Sequence, residues 1–129
     1  MNKILVEVSV GELLDKISIL EIKKEKIKDS TKLKFITDEH SILKVKLDQN
    51  VKSDDKLNSL FQSLKEINAK LWVIEDNKRL CEKNSDFTEN FIKLSRDVHF
   101  LNDDRAKIKL EINNYTGSKI KEIKEYTSY

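Results

Sequence analysis

The stretch Leu71 to Glu82 (LWVIEDNKRLCE) carries the side chains best placed to do chemistry in this chain. Upstream of it, Leu57, Leu60, Phe61, Leu64, Ile67, Leu71 and Ile74 recur at helical spacing and form one apolar stripe. Extending that stripe brings in Asn68, Glu75, Arg79 and Glu82, so the seam turns polar while the helical pattern continues. A second long pattern carries Phe87, Phe91, Leu94, Val98, Leu101 and Ile112, with Asn102, Arg105 and Lys109 in or beside the same stripe. The break between the two, Asn84-Ser85-Asp86, is short, so the helices should be antiparallel neighbours. Folding the chain there places Glu75 near Arg96, Asn68 near Asn102 and Glu66 near Arg105, while Glu21 and Lys24 from the first helical pattern can close the group.

Two chemistries suit such a seam. One is a buried hydrogen-bonded network that aligns the helices, since buried ions are tolerated only when paired. The other is a polar pocket for a small anionic or polar ligand, gripped by Arg79, Arg96, Arg105 and Lys109. The packed network is the better-supported expectation, and a plain solvated groove is the residual one.

The remaining reactive residues point to no reaction. His40 sits on an apolar stripe and reads as a hydrogen-bonded core residue. His99 has no cysteine or second histidine at metal-ligand spacing, and no Glu-x-x-His pair is present, so no metal or other cofactor is expected. Cys81 lacks an adjacent histidine and reads as a small apolar filler. Trp72 flanks the seam and is expected to pack between helices. Neither a glycine-rich phosphate loop nor a nucleophile elbow occurs. The lysines of ILEIKKEKIKDSTKLK are interleaved with acids and read as a solvated face.

The elements that must position these groups follow from local signals. With no proline and glycine only at Gly11 and Gly117, little interrupts helices between those points. Lys3 to Val10 alternates, with Ile4, Val6, Val8 and Val10 on one side and Leu5, Glu7 and Ser9 on the other, a short strand signal. Such a strand needs a partner for its backbone, either the C-terminal tail or another copy of the chain. Ser9 with Glu12 has capping-box spacing and opens a helix over Val10 to Lys28. Its apolar face is Val10, Leu13, Leu14, Ile17, Leu20 and Ile27, and Ile19 and Ile22 give it a second apolar side. Further helices are expected over Thr31 to Gln49, Lys56 to Lys83 and Phe87 to Tyr115, with Asp54 or Asp55 capping the third, Asp86 the fourth, and Gly117 ending it. The tail after Gly117 is too short to favour helix over strand.

At 129 residues the chain is one domain, and its 37% charged and 38% hydrophobic residues suit a folded helical protein. A net charge of +2 argues against a general attraction to nucleic acid, the third-ranked partner class. A single cysteine excludes an internal disulfide and suits the cytoplasm. No apolar run approaches the ~20 residues of a membrane span, and MNKILVEVSVGELLD lacks a secretory cleavage pattern.

The blocks VSVGELLDKISILEIKKEKI, KLWVIEDNKR, FIKLSRDVHFLNDDRAKIKLEIN and GSKIKEIKEY resemble a family of small uncharacterised proteins of bacteria and their phages. The resemblance spans most of the chain except the second helix and the loop after it. It implies a helical domain and brings no catalytic residue with it. A looser, architectural similarity, in the rhythm of LLDKISILEIKKEKI, is to the all-helical chorismate mutases, which hold their substrate between long helices with Arg and Lys.

The expected molecule is an all-α antiparallel bundle of four helices with a short N-terminal extended segment, covering residues 1–129. Its expected role is a non-catalytic interaction or scaffold module acting as a homodimer, with a further protein partner possible and no membrane. The unpartnered strand and the second apolar side of the first helix motivate the dimer. A small-molecule site between helices is the alternative.

Overall fold

The seventeen residues Val10–Lys26 form α1, and this helix packs against each of the other three. The computed structural model describes residues 2–129, in which α1 is followed by α2 (Ser30–Asn50), α3 (Asp55–Lys83) and α4 (Glu89–Thr116). Among the described residues there is no strand. The fold is an all-α four-helix bundle, and each helix lies within two or three residues of its expected span.

The starts of α1 and α3 and the stop of α4 are set by the side chains that the spacing suggested, Asp29 caps α2, and the start of α4 differs. Ser9 Oγ accepts from the Glu12 amide at 3.0 Å, and Asp29 Oδ1 accepts from the Lys32 amide at 2.9 Å. Asp54 Oδ1 caps α3 by accepting from the Leu57 amide at 2.8 Å. For α4 the expected Asp86 cap is displaced. Asp86 instead accepts from the amide and hydroxyl of Thr88, so Thr88 holds the N-cap position and the helix begins at Glu89 rather than Phe87. The α3–α4 turn is made by Ser85 in the left-handed region at φ 52°, with the Asp86 amide returning to the Cys81 carbonyl at 2.8 Å. Gly117 closes α4 at φ 67°, a conformation that glycine adopts without a Cβ clash.

Leu14 and Ile17 of α1, Leu47 of α2, Leu57 and Leu64 of α3 and Ile112 of α4 make one apolar core. Burial at this level is worth roughly 1.5–3 kcal/mol per large aliphatic side chain, and it is what holds four otherwise marginal helices together. The core occupies only part of the bundle. At 29 and 28 residues, α3 and α4 are each about 40 Å long, against about 25 Å for α1. Their far halves therefore form a two-helix hairpin whose one buried residue between Trp72 and Phe100 is Cys81.

Three expectations about the flanks change. Ile22, part of the second apolar side of α1, is buried within the chain itself, and Ile19 is half-buried, so that side needs no second copy. Lys24 lies in the last turn of α1, where Lys24, Glu25 and Lys26 are all exposed, and so it does not reach the seam. The tail after Gly117 forms neither helix nor strand. It returns along α4, with Glu122 Oε2 2.9 Å from Lys109 Nζ and the Tyr129 ring against His99 and Phe100.

Helices α1 and α4 approach each other closely at Gly11. A Cβ there would lie 2.6 Å from the Lys109 carbonyl oxygen and 3.0 Å from Asn113 Oδ1, so α1 can seat on α4 only without a side chain. The Gly11 amide, an unpaired donor of the first helical turn, gives its hydrogen to Asn113 Oδ1 at 2.7 Å. Gly11→Ala is expected to lower stability by about 2 kcal/mol in urea unfolding, despite the better helix propensity of alanine. Gly117→Ala has open space around it and should cost only about 1 kcal/mol, through its positive φ. Equal losses at the two positions would contradict the close-approach account.

Candidate functional site

Next to the apolar core, α1 turns a second stripe toward α3 and α4: Gly11, Asp15, Ser18 and Ile22, spaced by four, three and four residues. All four are buried, and the centre of the stripe is a carboxylate. Asp15 is only 2% exposed. Its Oδ1 accepts from Asn68 Nδ2 at 2.8 Å and from Arg105 Nε at 3.0 Å, and its Oδ2 accepts from Arg105 Nη2. Lys109 Nζ stands 3.8 Å from the same oxygen. The fork of Arg105 thus meets the carboxylate in the two-pronged geometry that guanidinium favours.

Further polar groups converge around that pair. Ser18 Oγ donates to the Asp15 carbonyl at 2.8 Å and accepts from Asn68 Nδ2 at 2.8 Å. Asn102 Oδ1 lies 3.5 Å from Arg105 Nη1. Lys109 Nζ, almost wholly buried, donates to Glu12 Oε2 at 2.7 Å and to Glu122 Oε2 at 2.9 Å. Among the described residues no buried side-chain nitrogen or oxygen is left without a partner. A separate knot ties α1, α2 and α3 together: Glu21 meets His40 Nε2 at 3.3 Å and Lys65 Nζ at 3.3 Å, and Lys65 also reaches Glu25 at 2.9 Å.

The electrostatics follow from these contacts. Burial pushes the Asp15 carboxyl up, but hydrogen bonds from Arg105 and Asn68 and the charges of Arg105 and Lys109 outweigh it, leaving its pKa below the ordinary value. Burial pulls the Lys109 ammonium down, and Glu12, Glu122 and Asp15 more than reverse that. Both groups are therefore locked in their charged forms at neutral pH. A carboxylate with a lowered pKa and both oxygens occupied is a poor general base, and a lysine held charged is a poor nucleophile.

Beside this network lies a groove of about 580 Å³, lined by Ile19, Asn68, Leu71, Trp72, Glu75, Asp76, Arg79 and Arg105. Four of the seam residues expected from sequence, Asn68, Glu75, Arg79 and Arg105, thus border one cavity. The expected cross-helix pairs form differently. Glu75 pairs with Arg79 on its own helix at 3.3 Å, not with Arg96. Arg96 lies on an outer face of α4, its guanidinium 5.8 Å above the Phe100 ring, beside Glu89, Ile92, Lys93 and Asp97. Glu66 is exposed, and Arg105 takes Asp15 instead. Asn68 and Asn102 do converge, both reaching the Asp15–Arg105 pair rather than each other. Lys109 belongs to the network, Glu21 to the neighbouring knot and Lys24 to neither.

Pairing α3 with α4 alone could not find Asp15, Ser18, Glu12, Asn113 or Glu122. The signal that could have done so is the Gly11, Asp15, Ser18 and Ile22 stripe, small and polar residues repeating on one face of a helix that already has an apolar one. Among the described residues no group of three or more His, Cys, Asp or Glu is placed to hold a metal ion. None of the helices is long and apolar enough to cross a membrane.

The chain belongs to a family of unknown function, DUF6165, whose model matches residues 4–129. Neither the curated proteins nor the solved structures include a match to it.

Asp15→Asn leaves Arg105 and Lys109 buried beside a neutral group and is expected to cost at least about 3 kcal/mol in urea unfolding. The pH dependence has a definite sign. Asp15 has a folded pKa below its ordinary value of 3.8, so its contribution is fully present above that value and is lost as pH falls through the lower, folded pKa. Stability should be level near neutrality and drop on acidification. The drop should be shallower for Asp15→Asn, and an equally steep acid limb in that variant would remove Asp15 from its assigned place.

Proposed function

We propose that this protein is a non-catalytic helical interaction module that acts as a homodimer in the cytoplasm of a bacterium or of a phage-infected cell. One contrast carries the reading. The ionisable groups of the seam are bound to one another, while the surface beyond α1 keeps large apolar side chains in solvent. Val73 and Leu80 of α3, Ile92 of α4, and Phe87 in the turn between them are all exposed. A two-helix hairpin has no third element to cover these groups, and exposed apolar area of this kind marks interaction surfaces in soluble proteins. The second copy is the occupant this reading commits to, because the exposed, strand-patterned N-terminal segment is an edge that an identical segment can pair. The lone cysteine and the resemblance noted above support the location and the source.

A small ligand in the Trp72 groove is the second reading, favoured by the size of that groove. Its charge balance counts against the anion expected from sequence. Arg105 is matched by Asp15 and Arg79 by Glu75, and Asp76 adds a further carboxylate to the lining. The lining thus carries two carboxylates and two guanidiniums, and no positive charge is left over for an anion.

Sedimentation equilibrium at tens of micromolar protein is expected to give twice the mass of the chain; a single-chain mass across that range would refute the homodimer. Trp72 is the one tryptophan, so its fluorescence reports on the groove directly. Titration with millimolar inorganic phosphate or sulfate should give no saturable change, and a saturable change abolished by Arg79→Gln would favour the ligand reading instead.

A further inference from the structure

We infer that the N-terminal segment, residues 2–8, pairs with the same segment of a second copy as an antiparallel two-stranded ribbon with Leu5 on the twofold axis; this rests on the homodimer reading above. The segment alternates in the pattern of a strand yet forms no strand within the chain. Its apolar side chains stand in water: Ile4 is 86% exposed, Leu5 75% and Val6 72%. Ser9, where it joins α1, is already extended at φ −69° and ψ 157°.

The tail of the same chain is not available as the partner. Its first residue beyond Gly117 is fastened at the base of α1, where Ser118 Oγ accepts from the Val10 amide at 3.2 Å. From there it runs along α4, held by Glu122 on Lys109 and by Tyr129 on Asp103, His99 and Phe100. A second copy presents the same unpaired edge, and two identical edges meet naturally about a twofold axis.

Charge complementarity then selects the register. In an antiparallel pair, directly opposed residues lie on the same face. With Leu5 opposite the partner's Leu5, Lys3 faces the partner's Glu7 and Glu7 faces the partner's Lys3, giving two ion pairs around a central leucine pair. On the other face Ile4 meets the partner's Val6, and Val6 meets the partner's Ile4. Moving the axis to Ile4 or Val6 sets Leu5 against Lys3 or Glu7 and loses both ion pairs. Placing the axis between two residues sets the apolar face of one strand against the charged face of the other. Of these registers, the Leu5-centred one alone keeps both ion pairs and sets apolar side chains together at residues 4 to 6, with Asn2 opposite the partner's Val8 at the ends.

The register can be read by cysteine cross-linking in the full-length chain carrying Cys81→Ala. Leu5→Cys, Ile4→Cys and Val6→Cys are made singly and oxidised with oxidised glutathione, and the disulfide-linked dimer is followed on a non-reducing gel. Opposed residues fall within the Cα separation a disulfide accepts, whereas residues displaced by a register step lie further apart. Leu5→Cys is expected to cross-link several-fold faster than the other two. In parallel, Lys3→Glu should weaken dimerisation about tenfold by setting like charges opposite one another twice, and the double variant Lys3→Glu with Glu7→Lys should restore it. Positions 3 to 7 are exposed, so their substitutions leave folding intact, and the Cys81→Ala parent, changed at a buried position, is first shown to unfold cooperatively in urea. Fastest linkage at Ile4→Cys or Val6→Cys, equal linkage at all three, or no rescue in the double variant would overturn the ribbon. If the protein sediments as a dimer in that event, the homodimer reading survives and this inference alone falls; a monomeric wild-type protein removes both.

Discussion

The buried Asp15 carboxylate is the constraint the rest of the structure obeys. An ionised group at that depth is stable only with its charge matched and its lone pairs filled, and no single helix can supply both. Arg105 and Lys109 bring the opposite charge from α4, and Asn68 brings an amide from α3. Satisfying one carboxylate therefore fixes the relative positions of three helices. The Ser18 hydroxyl, sharing the same Asn68 amide, leaves little freedom to slide. Apolar packing alone would not discriminate so sharply, because aliphatic contacts tolerate small shifts whereas hydrogen bonds do not.

Close approach is the second requirement of the same contact. Gly11 lets α1 settle onto the backbone of α4, and the Asn113 side chain then receives the otherwise unpaired Gly11 amide. Seating there brings Glu12 within reach of Lys109, so a residue that could have completed a capping box serves a tertiary ion pair instead. The tail adds Glu122 to the same ammonium. Both ends of the chain are thereby tied to one buried lysine, and the N-terminal segment and the tail diverge from that point. The far half of the α3–α4 hairpin lies outside this network, and Val73, Leu80 and Ile92 there stay exposed.

Much of the candidate site could be read from residue types, but not its organisation. Asn68, Glu75, Arg79 and Arg105 stand out as polar interruptions of apolar stripes, and they do border one groove. Which of them pair is another matter. Counting outward from the Ser85 turn treats α3 and α4 as a closed pair, and within a closed pair Arg105 would look for Glu66. The presence of α1 in the angle between them changes the outcome, because a carboxylate that cannot reach water competes far more strongly for a guanidinium than one that can. Glu66 stays in solvent for that reason, and Arg96, on an outer face of α4, rests over Phe100.

The sequence by itself determined the helices, their order and most of their ends, because those depend on contacts within a few residues: Ser9 and Asp54 at the starts of α1 and α3, Gly117 at the last stop, and period-3.6 apolar stripes between. Only the tertiary structure decided that α1 is the central helix, that Asp15 rather than Glu75 is the pivot of the polar layer, and that Ile22 is covered within the chain. Those outcomes depend on which faces meet across more than fifty residues of chain, and local periodicity shows that a face exists without naming the face it will meet.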